Sequence, residues 1–156
     1  MAEFKPRGLV VWTLGPLRCA LRVGVVERVV PAMELTPLPH APGSVSGIVN
    51  VQGRVIAVID MRARFGLPER DLQLGDQMLL AHTARRWIGF FVDAVQGVVD
   101  EPDQAMVPAS DIGAPMSSIA GVVKLADGLI LIQDLDRLLS GDEELDLDAA
   151  LAEHES

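Results

Sequence analysis

The chain has few of the features that mark secreted or membrane-spanning proteins. It contains one cysteine, Cys19, so no internal disulfide can form. None of its apolar runs approaches the roughly 20 residues that a membrane span requires. The first residues carry only a short apolar run and no small-residue cleavage site, so no secretory signal is expected. We therefore expect a cytoplasmic protein without direct membrane insertion, in which Cys19 is a buried small hydrophobe and not a nucleophile.

Positive charge is also scarce. The chain has 22 acidic and 13 basic residues, and its formal net charge is −9. The segment 142–156 carries seven of the acidic residues and no lysine or arginine, which leaves residues 1–141 close to neutral at −2. A nearly neutral body argues against nucleic acid or an anionic membrane surface as a partner. We expect 142–156 to be a solvated acidic tail that follows a single domain at 1–141.

Signatures of catalysis and of metal binding are missing. The sequence has no GxGxxG, GxxxxGK[ST], GxSxG or HExxH motif, and its three histidines lack metal-ligand spacing. The most enzyme-like feature is a set of carboxylates that end apolar runs, namely Asp60, Asp93 and Asp134. Carboxylates in a dry cleft could do acid–base work. Asp60 and Asp134 each precede a helix-like run, however, which favours helix capping. We expect no catalytic residue, cofactor or metal.

An internal repeat is what the sequence does contain. Residues 47–60 read GIVNVQGRVIAVID and residues 121–134 read GVVKLADGLILIQD, so the end glycines and aspartates recur at an offset of 74. Upstream, residues 23–30 match residues 92–99, and residues 10–11 match residues 79–80, both at an offset of 69. Most of the chain is therefore two copies of one β-rich unit, at about residues 9–65 and 78–139. Neither copy alone would bury much core, which favours a pseudo-two-fold pair.

Each copy predicts a β-hairpin followed by a short helix. Runs of Ile, Val and Leu favour strands, with turns at Gln52-Gly53 and at Asp127-Gly128. The helices are expected after Asp60 and after Asp134, and the second should end near Gly141. Proline-rich segments at 31–43, 100–108 and 115–118 predict surface loops, and 66–75 predicts a polar link between the copies. The tail predicts one more helix, with three apolar residues on one side: Leu145, Ala149 and Ala152.

Arginine gives the remaining indication of function. Four arginines lie in or beside the predicted strand, hairpin and helix of the first copy: Arg28, Arg54, Arg62 and Arg64. The planar arginine side chain is enriched at protein interfaces. At least one of the four is therefore predicted to contact a partner, the alternative being ordinary surface charge.

Short pieces of sequence occur along the chain in a fixed order and spacing, although no single piece is specific. They are Leu14-Gly15, Val23-Gly24-Val25-Val26-Glu27, Leu38-Pro39, Gly47-x-x-Asn50-x-x-Gly53, Val58-Ile59-Asp60-Met61-Arg62 with Phe65, Gly89-x-x-Val92-Asp93-x-Val95, Gly121-Val122, Asp127, Ile132-x-Asp134-Leu135 and Leu138-Leu139. In these pieces, from about Leu9 to Leu139, the sequence resembles the CheW-like coupling proteins of bacterial chemotaxis.

The resemblance implies a mainly β fold of two five-stranded, SH3-like barrels on a shared core. It also implies a non-catalytic adaptor that joins the cytoplasmic tips of methyl-accepting chemoreceptors to the regulatory domain of the CheA-like histidine kinase, in membrane-associated arrays. A groove between the subdomains would take the helical receptor tip, and subdomain ends would meet the kinase.

The same resemblance implies positions for partner contact. Gln52-Gly53-Arg54 stands where the family has its receptor-facing turn, and Val95 and Val98 match apolar positions of the groove. Three further residues match regions associated with partner contact: Val25, Glu27 and Gly47. Arg62 is added from the arginine argument. The family usually has Arg in place of Gln52, and glutamine keeps hydrogen bonding but loses the charged fork.

Two alternatives to this adaptor remain open. One is a small-molecule-binding β protein or an enzyme that uses Asp60, Asp93 and Asp134. The other is an adaptor of a pilus motility system or a related pathway, in which Gln52 weakens receptor binding.

Overall fold

The computed structural model describes residues 8–100, 106–107, 119–125 and 128–155. Three predictions fall wholly or partly outside these residues: the loop at 100–108, the loop at 115–118, and the turn at Asp127-Gly128. The strands, in chain order, are β1 Gly8–Leu14, β2 Leu17–Arg22, β3 Val26–Pro31, β4 Val45–Val51, β5 Arg54–Ile59, β6 Gln77–His82, β7 Trp87–Val92, β8 Ala94–Asp100, β9 Met106–Val107, β10 Ile119–Leu125 and β11 Gly128–Gln133.

The strands form two sheets. One sheet has the order β8-β1-β2-β11-β10-β9, in which β9 contributes two residues, and the other has the order β3-β6-β7-β5-β4. Neighbours pair antiparallel, except β2 with β11 and β5 with β7, which pair in parallel. The predicted mainly β fold class is confirmed, and the sheets are compatible with a pair of SH3-like subdomains.

The two sheets repeat each other strand by strand. Adding 69 to the residue numbers of the β1–β2 pair Val10↔Leu21 gives the β6–β7 pair Leu79↔Phe90. The offset of 74 converts the β4–β5 register into the β10–β11 register, including the irregularity ahead of Gly47 and of Gly121. The copies exchange a hairpin, because β1–β2 lies in the sheet that β8, β10 and β11 complete, and β6–β7 lies with β3, β4 and β5.

A shared core lies between the sheets, and each sheet also has a small core of its own. The shared core centres on Trp12 and Phe90, whose rings lie 5.2 Å apart at 50°. Alternation along β1 sends Trp12 into the shared core and Val11 into the smaller one. Both small cores are built from matching positions of the repeat: Leu9, Val11, Val123, Ile130 and Ile132 in one, and Met78, Leu80, Val49, Ile56 and Val58 in the other.

Cys19 lies fully buried in the shared core, as predicted. Burial away from water disfavours the thiolate and raises the pKa of Cys19 to about 12. The thiol is therefore a packing group at neutral pH.

Short helical segments follow both predicted hairpins. Helix α1 spans Met61–Arg64, and a 3-10 turn spans Leu135–Arg137. The expected end of the second helix near Gly141 is wrong, because a longer helix, α2, begins there and spans Gly141–Glu155. A further 3-10 turn, Val23–Val25, links β2 to β3. The boundary between a domain at 1–141 and a tail at 142–156 stays a prediction.

The predicted helix in the tail is present as α2, but the three apolar residues that the sequence places on one side of it do not face the body. Leu145 is 60% exposed, and Ala149 and Ala152 are exposed as well. The buried positions are instead Leu147 and Ala150, together with the acidic Glu144. The apolar residues of α2 do not decide its orientation alone, because arginines of the body bind the side chain of Glu144.

Candidate functional site

The turn between β4 and β5 is an exposed, tightly specified hairpin. Gln52 and Gly53 have φ angles of 52° and 85°, and the strand residues on either side, Val51 and Arg54, pair across the turn. Positive φ at both central positions is the geometry of a type I′ turn. The side-chain oxygen of Asn50 accepts a hydrogen bond of 2.8 Å from the Gly53 N–H. The structure therefore brings Gln52, Gly53 and Arg54 together at one tip.

Arg54 is held against an aromatic ring. Its guanidinium carbon lies 4.0 Å from the centre of the Trp87 ring, at the start of β7. An arginine in this position is attracted by the negative face of the indole. An open cleft of about 460 Å³ adjoins the pair and is also lined by Val55, Ala57 and Leu151. Trp87 thus orients the positive charge beside the turn.

Glu27 lies on β3, the strand at the opposite edge of the same sheet from β4, and Val25 is the last residue of the 3-10 turn before β3. Glu27 occupies the bulge of β3 between the paired residues Val26 and Arg28, and its carboxylate contacts Nδ1 of His82 on β6. Glu27 is exposed, whereas Val25 is half-buried and packs against the shared core. Glu27 therefore presents a charged group at the surface, whereas the side chain of Val25 mainly packs inward.

Val95 and Val98 both lie on β8, at the edge of the six-stranded sheet. Val95 is half-buried against the shared core, and its N–H donates a 3.0 Å hydrogen bond to Oε1 of Gln77. Val98 is 64% exposed. Of the two predicted groove residues, Val98 is therefore the one that presents apolar surface.

Gly47 is a packing residue. It is buried, and a Cβ atom added to it would lie 2.7 Å from the backbone oxygen of Thr36. Thr36 forms an isolated bridge with Ile48, and only a glycine permits so close an approach of the two chains. Gly47 therefore serves the packing of this bridge, and as a buried glycine it has no side chain at the surface.

Arg62 also binds within the protein. Its Nη2 lies 2.9 Å from Oδ1 of Asp93, and the same oxygen accepts a 2.6 Å hydrogen bond from Arg70. The other oxygen of Asp93 accepts a 2.7 Å hydrogen bond from the Gly15 N–H. Arg70 further binds Asp76 through both of its terminal nitrogens, at 3.0 and 3.1 Å. Asp93 thus joins the β1–β2 turn, α1 and the loop between the copies.

The electrostatics of this cluster favour the ionised carboxylates. Burial tends to raise the pKa of Asp93, but hydrogen bonds from Gly15, Arg70 and Arg62 outweigh it and hold the pKa below its ordinary value. Burial acts on Asp76 in the same sense, and hydrogen bonds from Arg70 and from the Gln73 N–H again hold the pKa low. Carboxylates that stay ionised and paired are structural anchors, and poor proton donors near neutral pH.

The three aspartates that could have formed a catalytic set do not come together. Asp60 and Asp93 line one cleft of about 200 Å³, whereas Asp134 lines another. The Asp60 carboxylate accepts a 3.0 Å hydrogen bond from the Ala63 N–H, and the Asp134 carboxylate accepts one of 3.1 Å from the Asp136 N–H. The predicted capping role of Asp60 and Asp134 is confirmed.

The two remaining arginines of the sequence prediction differ in their surroundings. Arg28 is exposed on β3. Arg64 donates a hydrogen bond to the Leu138 carbonyl oxygen and lies 3.7 Å from Oε1 of Glu143. Sequence reasoning missed Trp87, whose only signal was an aromatic residue at the start of a predicted strand.

Two further results concern the chain as described. Among the residues that the structure covers, no group of three or more His, Cys, Asp and Glu side chains is placed to hold a metal ion. Within the same residues, no helix has the length and apolar character needed to cross a membrane.

These features define a two-sheet β protein with a shared core, partly buried ion pairs and an exposed polar hairpin. The family model for the CheW-like domain matches residues 8–143, so the chain belongs to the CheW-like domain family. It is 27% identical over 139 residues to the chemotaxis protein CheW of Rhizobium meliloti, covering 88% of this chain and 90% of that protein. It is 30% identical over 122 residues to the chemotaxis protein CheW of Thermotoga maritima, covering 77% and 79%.

Solved structures give the same result. The crystal structure of the scaffolding protein TtCheW from Thermoanaerobacter tengcongensis superimposes with a TM-score of 0.79 at 26% sequence identity. The match covers 89% of this chain and 96% of that one. The likeness in three dimensions therefore extends over nearly the whole of both proteins.

Proposed function

We propose that this protein is a non-catalytic adaptor that couples the cytoplasmic tips of chemoreceptors to a CheA-like histidine kinase. The observation that carries the proposal is the match of the CheW-like domain to residues 8–143, in relatives named as chemotaxis and scaffolding proteins. The structural role of Asp60, Asp93 and Asp134 supports it, because these carboxylates are engaged in caps and ion pairs. The protein would act in the cytoplasm, at membrane-associated receptor arrays.

The exposed hairpin is the surface that we assign to the receptor. Arg54 and Gln52 supply a charge and a hydrogen-bonding amide at its tip, whereas Val98 on β8, in the other sheet, supplies apolar surface. Together with Gly53 and Glu27 they are the candidate contact residues that are solvent-exposed. Gly47, Arg62, Val25 and Val95 would act indirectly, by stabilising the fold.

The test is binding of the full chain to a purified receptor tip and, separately, to the kinase regulatory domain. We expect both to bind, and we expect Arg54→Ala to weaken receptor binding about 5- to 30-fold, as for the loss of an interface arginine worth about 1–2 kcal/mol. Arg137→Ala is the matched control, because Arg137 is an exposed arginine in the 3-10 turn of the other copy. Binding to neither partner would refute the adaptor function.

A second candidate, an adaptor of a related pathway with weakened receptor binding, is favoured by one observation. Gln52 stands at the tip where the resemblance implies an arginine, and Arg54 is already stacked on Trp87. In this case the kinase domain would bind while the receptor tip bound weakly, and Gln52→Arg would strengthen receptor binding. An unchanged affinity in that variant would exclude the second candidate.

A further inference from the structure

Helix α2 is attached to the body partly through its acidic side chains. Oε1 of Glu144 lies 3.2 Å from Nη2 of Arg86, and Oδ2 of Asp148 lies 3.5 Å from Nη2 of Arg85. Arg86 also contacts Asp148 directly. The side chains of Arg86 and Glu144 are only 13% and 10% exposed, so this pair is largely removed from water. Such pairs contribute most when both partners are hydrogen-bonded and shielded.

Apolar side chains of α2 also pack against the body. Leu147 and Ala150 are buried and join the shared core, and Leu151 is half-buried against it. These residues and the two acids lie at spacings of three, four and seven, which place them on one helical face. The body thus offers a narrow apolar slot flanked by two arginines.

The backbone of the turn that carries the two arginines is held by contacts outside α2. Both belong to the turn between β6 and β7, where Oγ1 of Thr83 accepts hydrogen bonds of 3.1 Å from the N–H groups of Arg85 and Arg86. Oδ1 of Asp136 accepts a 2.7 Å hydrogen bond from the Ala84 N–H in the same turn. Nε of Arg86 is buried and has no hydrogen-bond partner in the described part of the chain. The backbone of the turn is therefore held in place by contacts outside α2. Nε of Arg86 remains as a donor for a further acceptor.

The first residues of α2 and the serine before it form a helix N-cap. The Ser140 N–H donates to Oε1 of Glu143 at 2.9 Å, and the Glu143 N–H donates to Oγ of Ser140 at 3.1 Å, which is a reciprocal capping box. Glu143 also accepts a 2.6 Å hydrogen bond from Oγ of Ser44 and lies 3.7 Å from Arg64, so the start of α2 has its own contact with the body, apart from Arg85 and Arg86.

We propose that Arg85, Arg86 and the slot filled by Leu147 and Ala150 form a docking site for acidic amphipathic helices, which α2 occupies within its own chain. We call this the arginine-pair site. The occupant that fits it from outside is a helix of a partner protein with two acids four residues apart and apolar residues between and after them. Such a helix would displace α2, and release of α2 would also open the adjoining cleft at Arg54 and Trp87, which Leu151 borders. The inference does not depend on the proposed chemotaxis function.

The test uses the full chain and a fluorescent peptide of residues 140–155 as the acidic helix. In wild type the tethered α2 competes at an effective concentration on the order of millimolar, so the free peptide should bind poorly. The variant Glu144→Gln/Asp148→Asn weakens the tethered helix but leaves the arginines intact. We expect the peptide to bind this variant at least tenfold more tightly than wild type.

Controls separate this site from general charge attraction. A peptide with the same two substitutions should bind the variant at least tenfold more weakly, and so should the native peptide after Arg86→Gln is added. Arg137→Gln, which removes an equal charge elsewhere, should leave binding unchanged. Near-ultraviolet circular dichroism of the Trp12–Phe90 core reports that each variant is folded.

Hydrogen exchange of the α2 amides tests separately whether the ion pairs hold the helix on the body. We expect these amides to lose protection in Glu144→Gln/Asp148→Asn. If protection is unchanged, the ion pairs do not hold α2 and the proposal is wrong. If protection is lost but the peptide still fails to bind, or binds regardless of Arg86, no helix-docking site exists there.

Discussion

Replacing Asp93 tests whether its ion-pair cluster holds the two copies of the repeat together. Asp93 joins elements far apart in the sequence, through the Gly15 N–H at 2.7 Å, Arg62 at 2.9 Å and Arg70 at 2.6 Å. In Asp93→Asn the amide oxygen can still accept from Gly15, but the charge is lost. Arg70 keeps Asp76, whereas Arg62 keeps only the Pro68 carbonyl oxygen at 3.4 Å. The substitution therefore isolates the value of the charge.

The expected magnitude follows from the exposure of the partners. The side chains of Asp93, Arg62 and Arg70 are 29%, 19% and 24% exposed, so each pair is worth more than a surface pair and less than a buried one. We expect Asp93→Asn to lower the free energy of unfolding by about 1–2 kcal/mol, or the melting temperature by about 3–6 °C. Asp93→Ala also leaves the Gly15 N–H without its acceptor, which raises the cost to about 2–4 kcal/mol.

The assay is urea unfolding as a function of pH, with Asp71→Asn as the matched control because Asp71 is exposed in the same loop. Since the pKa of Asp93 is held below its ordinary value, its contribution is complete above the ordinary aspartate pKa of about 4 and is lost as the pH falls further. The difference between wild type and Asp93→Asn should shrink accordingly. A variant as stable as the control at pH 7, or a difference that does not shrink as the pH falls below about 4, would refute the reasoning.

Three further substitutions test single contacts by urea unfolding. Gly47→Ala should destabilise by about 2–3 kcal/mol, because the new Cβ would lie 2.7 Å from a backbone oxygen, whereas Gly43→Ala, with open space around it, should not. Leu147→Ala should cost about 2–4 kcal/mol and the exposed Leu145→Ala less than about 0.5 kcal/mol, and the reverse order would contradict the assigned face of α2. Asp60→Ala should cost about 1 kcal/mol and Asp60→Asn less, because asparagine also caps helices; equal losses would argue against capping.

The repeat made the strand register predictable from the sequence. Residues that alternate between the faces of a strand must keep their spacing if two copies share a fold, so matched positions imply matched pairs. The pair Ile48↔Ala57 recurs as Val122↔Leu131, and the tip at Gln52-Gly53 lies at the predicted turn. The hairpin exchange was not predictable, because the apolar residues of β1–β2 and β6–β7 suit either sheet equally well.

The candidate site was predicted only in part, because long-range contacts decide the role of each side chain. Arg62 and Arg54 look alike in sequence, yet one is bound by Asp93 and the other lies on Trp87 at the surface. The orientation of α2 had two plausible apolar faces, and Arg85 and Arg86, more than fifty residues earlier, selected the one that holds Leu147. No local pattern encodes such a choice.

The two copies share a backbone arrangement but use different side chains to satisfy equivalent backbone N–H groups. Gly15 and Ala84 are equivalent positions in the turns β1–β2 and β6–β7, and each has a backbone N–H that needs an acceptor. Asp93 satisfies the first with support from Arg62, whereas Asp136, at the position equivalent to Arg62, satisfies the second directly. In the second copy the acceptor therefore needs no arginine beside it. The arginines of the β6–β7 turn bind the carboxylates of α2 instead. The two ends of the repeated scaffold are therefore chemically different, which is compatible with the adaptor function that we propose.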